Sequence, residues 1–135
     1  MDAPDQHPGE GWSPVSDPGF IGYVGPFWTR QDANTLDLGF YMDARHTNRA
    51  SRLHGGMVCT VADRAMGMCA RISESDRNHA TISLNLNFLD SALPGEFVFA
   101  HAKVERETRT LCFLHCTVYA QERIIGTAQG VWKKL

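Results

Sequence analysis

Asp63 is the one acidic side chain in the run Leu53–Arg71, and most of its neighbours there are small or apolar. A carboxylate is costly in such surroundings unless it has a function, and burial raises its pKa. Eight and seven residues earlier stand Gly55 and Gly56. A helix start carries backbone N–H groups without intrahelical partners and a partial positive charge. Two residues without side chains let a negatively charged or polarised oxygen approach those donors. The pair therefore predicts an oxyanion-binding helix start, and Asp63 a carboxylate of raised pKa. Eight residues of helix span about 12 Å, whereas both groups must lie within about 3 Å of one reacting carbonyl. One chain cannot supply both. Two such helices, antiparallel about a twofold axis, can, each giving its glycine end to the other's aspartate. The spacing predicts a dimer with two shared sites.

The element that must hold these groups is a long helix. Val58, Val61, Ala62, Ala65, Met68, Cys69 and Ile72 recur at three- and four-residue spacing, and Cys59, Met66, Gly67 and Ala70 make the remaining side apolar too, so the helix is buried. Around it the chain reads as strands. Thr35 to Ala44 alternates, and Gln31–Asn34 is a turn that pairs it with residues 26–30. After the helix, Thr81, Ser83, Asn85 and Asn87 alternate with Ile82, Leu84, Leu86 and Phe88, which predicts one polar and one apolar face. Phe97–Glu105, Leu111–Ala120 and Ile124–Trp132 follow as an antiparallel meander. Its faces coincide if the turn after Glu105 has an odd number of residues, with three expected. About five or six strands and one buried helix predict an α+β fold in which an antiparallel sheet curls around the helix. Residues 1–19, with four prolines and several Gly, Asp and Ser, read as a flexible leader, and 20–135 as the domain. The aromatic stretch Phe20–Trp28 reads equally as a short helix or an irregular cover.

Composition removes several classes of function. The 135 residues carry a net charge of −2 and no Lys/Arg run longer than a pair, so nothing favours nucleic acid or an anionic membrane. No apolar stretch approaches the roughly 20 residues of a membrane span, and the acidic start Met1-Asp2-Ala3-Pro4-Asp5 is no signal peptide. A cytoplasmic location follows by default. Cys59 and Cys69 lie about 15 Å apart along the helix, and Cys112 and Cys116 about 13 Å apart along a strand, so neither pair bridges. No CxxC occurs, and neither a metal nor a cofactor is expected. Cys59 reads as a packed core residue rather than a nucleophile, since no His or Asn stands at a supporting spacing.

The segment His46-Thr47-Asn48…His54-Gly55-Gly56…Asp63 resembles the hotdog-fold acyl-CoA thioesterases of the phenylacetate-pathway and thioesterase-superfamily type. The order Asn, then His-Gly-Gly, then Asp seven residues after the second Gly is that family's signature, and Thr81–Leu89 looks like its following strand. The resemblance covers about residues 20–135. It implies the hotdog fold, an acyl-CoA substrate, and a homodimer that doubles to a homotetramer. By the same similarity, the Gly55 N–H and the Asn48 side chain polarise the thioester carbonyl. Asp63 of the partner chain acts as general base on water or attacks directly, and Thr81 orients the water. His54 and Gly56 complete the substrate-binding motif, with His54 more structural than catalytic. One departure stands at Asp90-Ser91-Ala92, where the family commonly has a proline.

Each residue also has a plainer reading. Asp63 can be a buried ion-pair member with Arg64 or another arginine. Asn48 alone is a turn residue or N-cap, and Thr81 alone a β-former. His101 and His115 read as satisfied core or interface residues. Arg49, Arg52, Arg71 and Arg77 read as solvated surface, with one or two free to meet CoA phosphates. Two rival functions remain open at this level. One is a non-catalytic acyl-CoA-binding hotdog module. The other is a hotdog enoyl-thioester hydratase, whose usual His paired with an acid in a different motif is absent.

Overall fold

In the computed structural model, which describes residues 6–135, the predicted helix runs Gly55–Ala70 (α2). Met57, Val58, Val61, Ala62, Ala65, Met66, Cys69 and Ala70 are its buried side chains. The strands are Ser13–Pro14 (β1), Trp28–Gln31 (β2), Thr35–Tyr41 (β3), His79–Phe88 (β4), Phe97–Glu107 (β5), Leu111–Ala120 (β6) and Arg123–Lys134 (β7). They form one antiparallel sheet in the order β1-β2-β3-β5-β6-β7-β4. Its inner face supplies Leu36, Leu38, Phe40, Val98, Ala100, Ala102, Leu114, Cys116 and Val118 to the core around α2. The alternation expected of the meander holds. Ala100 pairs with Val118 and Ala102 with Cys116, and three residues, 108–110, make the β5–β6 turn. Among the described residues no helix is long and apolar enough to cross a membrane.

The sheet has seven strands rather than five or six, and the extra one lies in the stretch expected to be a flexible leader. Residues 1–5 of that leader lie outside the described residues. Further along, Ser13 and Pro14 pair with Thr29 and Trp28. Trp12 is buried, edge-on to Phe97 and Phe99, and the Arg30 guanidinium lies 4.4 Å above its ring. Proline and glycine make a segment look unstructured by composition. A single buried indole and one edge pairing are enough to hold it. The stretch after it resolves into a short helix, Phe20–Val24 (α1), followed by Gly25-Pro26 and the buried Phe27. His46, itself buried, fastens this cover. Its Nδ1 accepts from the Asp43 N–H (3.0 Å), so its Nε2–H donates to the Val24 carbonyl (2.7 Å). Arg45 adds bonds to the Tyr23 and Gly25 carbonyls.

Strict alternation along β4 would place Thr81 on the polar face with Ser83, Asn85 and Asn87. The structure corrects this. Thr81 pairs with Trp132 and Ser83 with Val131, which leaves Ile82 as an extra, unpaired residue. This β-bulge shifts the phase by one. Thr81 therefore shares the helix side of the strand with Leu84 and Leu86, which pack on the core.

The chain's end is tied by charge. Lys134, 5% exposed, donates to the Thr108 carbonyl (2.7 Å) and lies 3.1 Å from Glu107. The Ser73 hydroxyl, donating at 2.8 Å, and then the Lys134 ammonium hold the Glu107 carboxyl below its ordinary 4.5. A carboxyl lowered on folding stabilises above its unfolded pKa, and that contribution is lost as pH falls through the folded value. Glu107→Gln should therefore flatten the acid side of a Tm-versus-pH curve between about pH 6 and 3. An unchanged acid slope would show that the contact contributes nothing.

Candidate active site

Asp63 sits half-buried two turns into α2, where its Oδ1 accepts a 2.8 Å hydrogen bond from Thr81 Oγ1. The bulge at Ile82 is what aims that hydroxyl. The two line a cleft of about 280 Å³ together with Arg64, Gly67, His79 and Trp132. The ion-pair reading of Asp63 does not hold among the described residues. Arg64 donates instead through Nε (2.9 Å) and Nη2 (2.5 Å) to Asp17, and Asp63 makes no ion pair. Thr81 leaves the second carboxylate oxygen without a protein donor, free to accept from a water.

At the start of the same helix the first-turn donors are sorted. His54 is the N-cap, and its Nδ1 accepts from the Gly56 N–H at 2.8 Å. The N–H groups of Met57 and Val58 reach the His54 carbonyl. Gly55 N–H alone of this turn has no partner among the described residues. The Gly56 N–H, expected with that of Gly55 at the oxyanion-binding helix start, is bonded to the His54 cap. A Cβ there would stand 3.0 Å from His54 Nδ1, so the glycine is what lets the imidazole close over the helix end. His54 likewise acts as the cap, and its main-chain N–H is bonded to the His46 carbonyl. A Cβ on Gly55 would come within 3.2 Å of the Phe88 ring, an exposed side chain on β4.

Asn48 lies in the loop before this end, and that loop closes on itself. Thr47 pairs with Leu53, and the Asn48 N–H meets the Arg52 carbonyl at 2.7 Å. Its Oδ1 accepts from the Ala50 and Arg52 N–H groups (2.9 and 3.1 Å). The turn role is thus real, and it fixes the amide so that the Nδ2 hydrogens, unbonded among the described residues, are the part left to a ligand. Within one protomer the cleft at Asp63 does not include Gly55 or Asn48.

The plainer readings of several other residues stand. Burial, and after it the Asp63 charge, push the Cys59 thiol up, which disfavours a nucleophilic thiolate. All four cysteines are free, and burial drives Cys116 to about 12. His101 lies 2.6 Å from Asp37, and His115 pairs with Glu105. Asp17 and His46 are structural supports that sequence reasoning did not single out. His46 had a signal in the resembling motif, whereas Asp17 lay in a segment that composition had set aside. Thr81→Ala should remove the hydrogen bond that orients Asp63. We expect kcat to fall by about tenfold, roughly the value of one charged hydrogen bond, with Tm little changed. A kcat equal to wild type in a thiol-release assay would make Thr81 a bystander.

A family model described as the thioesterase superfamily matches residues 51–127. A protein of Pseudomonas aeruginosa named as a candidate esterase is 31% identical over 127 residues, 91% of this chain and 94% of that one. Mouse (Mus musculus) acyl-coenzyme A thioesterase 13 is 26% identical over 72 residues, covering 53% of this chain and 51% of its own. The crystal structure of zebrafish thioesterase superfamily member 2 superimposes with a TM-score of 0.79 at 25% identity over 88% of each chain. Motif, sheet order and these likenesses agree, and the chain belongs to the thioesterase superfamily with its hotdog fold.

Proposed function

We propose that this protein is an acyl-CoA thioesterase that works as a homodimer in the cytoplasm, each site shared between two chains. The observation that supports it best is the division of labour on α2. Asp63 and Thr81 face an open cleft at its middle, and the one first-turn N–H without a partner among the described residues, that of Gly55, stands at its start. In this reading Asp63 takes a proton from water as the oxygen attacks the thioester carbon. The developing oxyanion is held by the partner subunit's Gly55 N–H and by the amide of the partner subunit's Asn48, aided by the helix dipole. The tetrahedral intermediate then expels CoA as a thiolate, which recovers the proton, and a carboxylic acid remains. Direct attack by Asp63, through an anhydride that water later opens, uses the same groups.

The edge strand favours this pairing. β4 closes one side of the sheet with no neighbour beyond it, and Ile82 (57%) and Phe88 (58%) are exposed along it. An uncovered apolar edge is a template for another strand. If β4 pairs antiparallel with its copy about a centre near Leu84–Asn85, Thr81 comes opposite the Phe88 end of the other chain. That is where Gly55 lies. The homotetramer implied by the resemblance would join two such dimers.

Thiol release over a panel of acyl-CoAs tests the function. Stoichiometric free CoA with loss of the acyl-CoA is the expected result. Saturable binding without thiol would favour the binding module, and hydration of crotonyl-CoA without thiol would favour the hydratase.

A further inference from the structure

The cleft at Asp63 is not lined as a purely apolar acyl pocket would be. Trp132 is its apolar wall, and Gly67, one turn beyond Asp63, keeps the space beside it open. A Cβ on Gly67 would stand 3.4 Å from Trp132 Nε1. The remaining lining is polar or cationic, with Arg71 and His79 prominent. Arg71 Nη2 donates to the Ser75 carbonyl at 2.9 Å, but its Nε is buried without a partner among the described residues, and so is His79 Nε2. Buried polar atoms are nearly always paired, and each exception needs an explanation. Among the described residues no carboxylate forms an ion pair with Arg71. The nearby Glu74 pairs with Arg77 and Lys134, and Glu107 with Lys134. A cation at the C-terminal end of α2 suits the helix dipole, yet that does not account for a guanidinium lining the cleft with Nε–H unpaired. His79 Nδ1 lies 3.2 Å from the Arg77 carbonyl, which only accepts, so Nδ1 carries a proton.

We propose that the acyl group received here ends in a carboxylate, paired with the Arg71 guanidinium that lines the cleft, while its thioester carbonyl lies at Asp63. This deepens, and rests on, the thioesterase reading. Asp63 and Arg71 are separated by about 12 Å of helix axis, and both line the one cleft. The two groups are thus spaced for a short dicarboxylic mono-thioester rather than a long chain.

The test compares kcat/KM for succinyl-, glutaryl- and adipyl-CoA with butyryl-, valeryl- and hexanoyl-CoA, matched in length. The wild-type protein should prefer the best charged substrate by about tenfold or more, the discrimination expected of a charge-assisted bond. Arg71→Met should remove that preference, read as the ratio of kcat/KM for each charged substrate to its uncharged partner. Arg71→Lys, which keeps the charge and guards against a folding defect in the first variant, should retain part of it. Asp63-dependent release from valeryl-CoA equal to or faster than from glutaryl-CoA would overturn this proposal and leave the thioesterase reading intact. Absence of thiol release from every substrate would overturn both.

Discussion

Asp63→Ala should lower kcat/KM for acyl-CoA hydrolysis by about 100- to 10,000-fold, the range that a general base contributes. Asp63→Asn should also be severely impaired, although it preserves shape and can still accept from Thr81. What it lacks is the ability to take a proton. Stability should behave differently from activity. Asp63 is half-buried, makes no ion pair among the described residues, and holds a single side-chain hydrogen bond from an exposed threonine. Its loss is thus expected to change stability by about 1 kcal/mol or less. Were Asp63 a structural ion-pair member, the result would be reversed, with Tm falling and turnover surviving. Thiol release at neutral pH, with a thermal melt on the same sample, separates the two. A wild-type rate in Asp63→Ala would remove this residue from the mechanism.

Much of this was legible in the residues because local patterns and global fold agree. A glycine pair, a stretch apolar on every side and a lone acid can only be a buried helix with a reason to carry charge, and α2 runs within two residues of that expectation. The meander strands were readable because Val98, Ala100 and Ala102 keep strict alternation and face Cys116 and Val118 across a short turn.

Three features were not legible, each for a physical reason. The bulge at Ile82 depends on how β4 meets β7, a non-local pairing invisible in β4's own alternation. Without it, Thr81 would point away from Asp63. The role of Gly56 depends on where the His54 imidazole turns, and two adjacent glycines look equivalent until one N–H is found bonded. Docking of Trp12 and Asp17 depends on partners far along the chain, Phe97 and Arg64, whereas composition speaks only for the segment itself. The site shows the same divide. Its residues could be named from spacing and resemblance, and their mutual dependence only from hydrogen bonds.

The proposed two-chain site makes the other large prediction, and Gly55→Pro is the variant that isolates it. Gly55 is the first residue of α2, the helical position where proline is best tolerated, because the N–H it lacks has no intrahelical partner. The preceding His54 has φ −65° and ψ 134°, the extended conformation that a following proline requires. Phe88 is 58% exposed and free to swing from the new ring. The substitution should therefore delete one oxyanion donor and little else, lowering kcat about 100- to 1000-fold. Asp63→Ala alone should be similarly impaired. Co-expressed in equal amounts, the two variants should assemble half of their dimers as mixed pairs. In a mixed pair one site carries both lesions and the other none, so activity should return to about a quarter of wild type. If each site were built within one chain, every site in the mixture would carry a lesion and activity would stay at the level of the parents. The recovery must also be lost when β4 pairing is blocked. Ile82→Lys, which places a charge on the exposed edge, should shift the protein to monomers by light scattering and abolish the complementation. A mixture no more active than its parents, from dimers shown to exchange, would overturn the two-chain site.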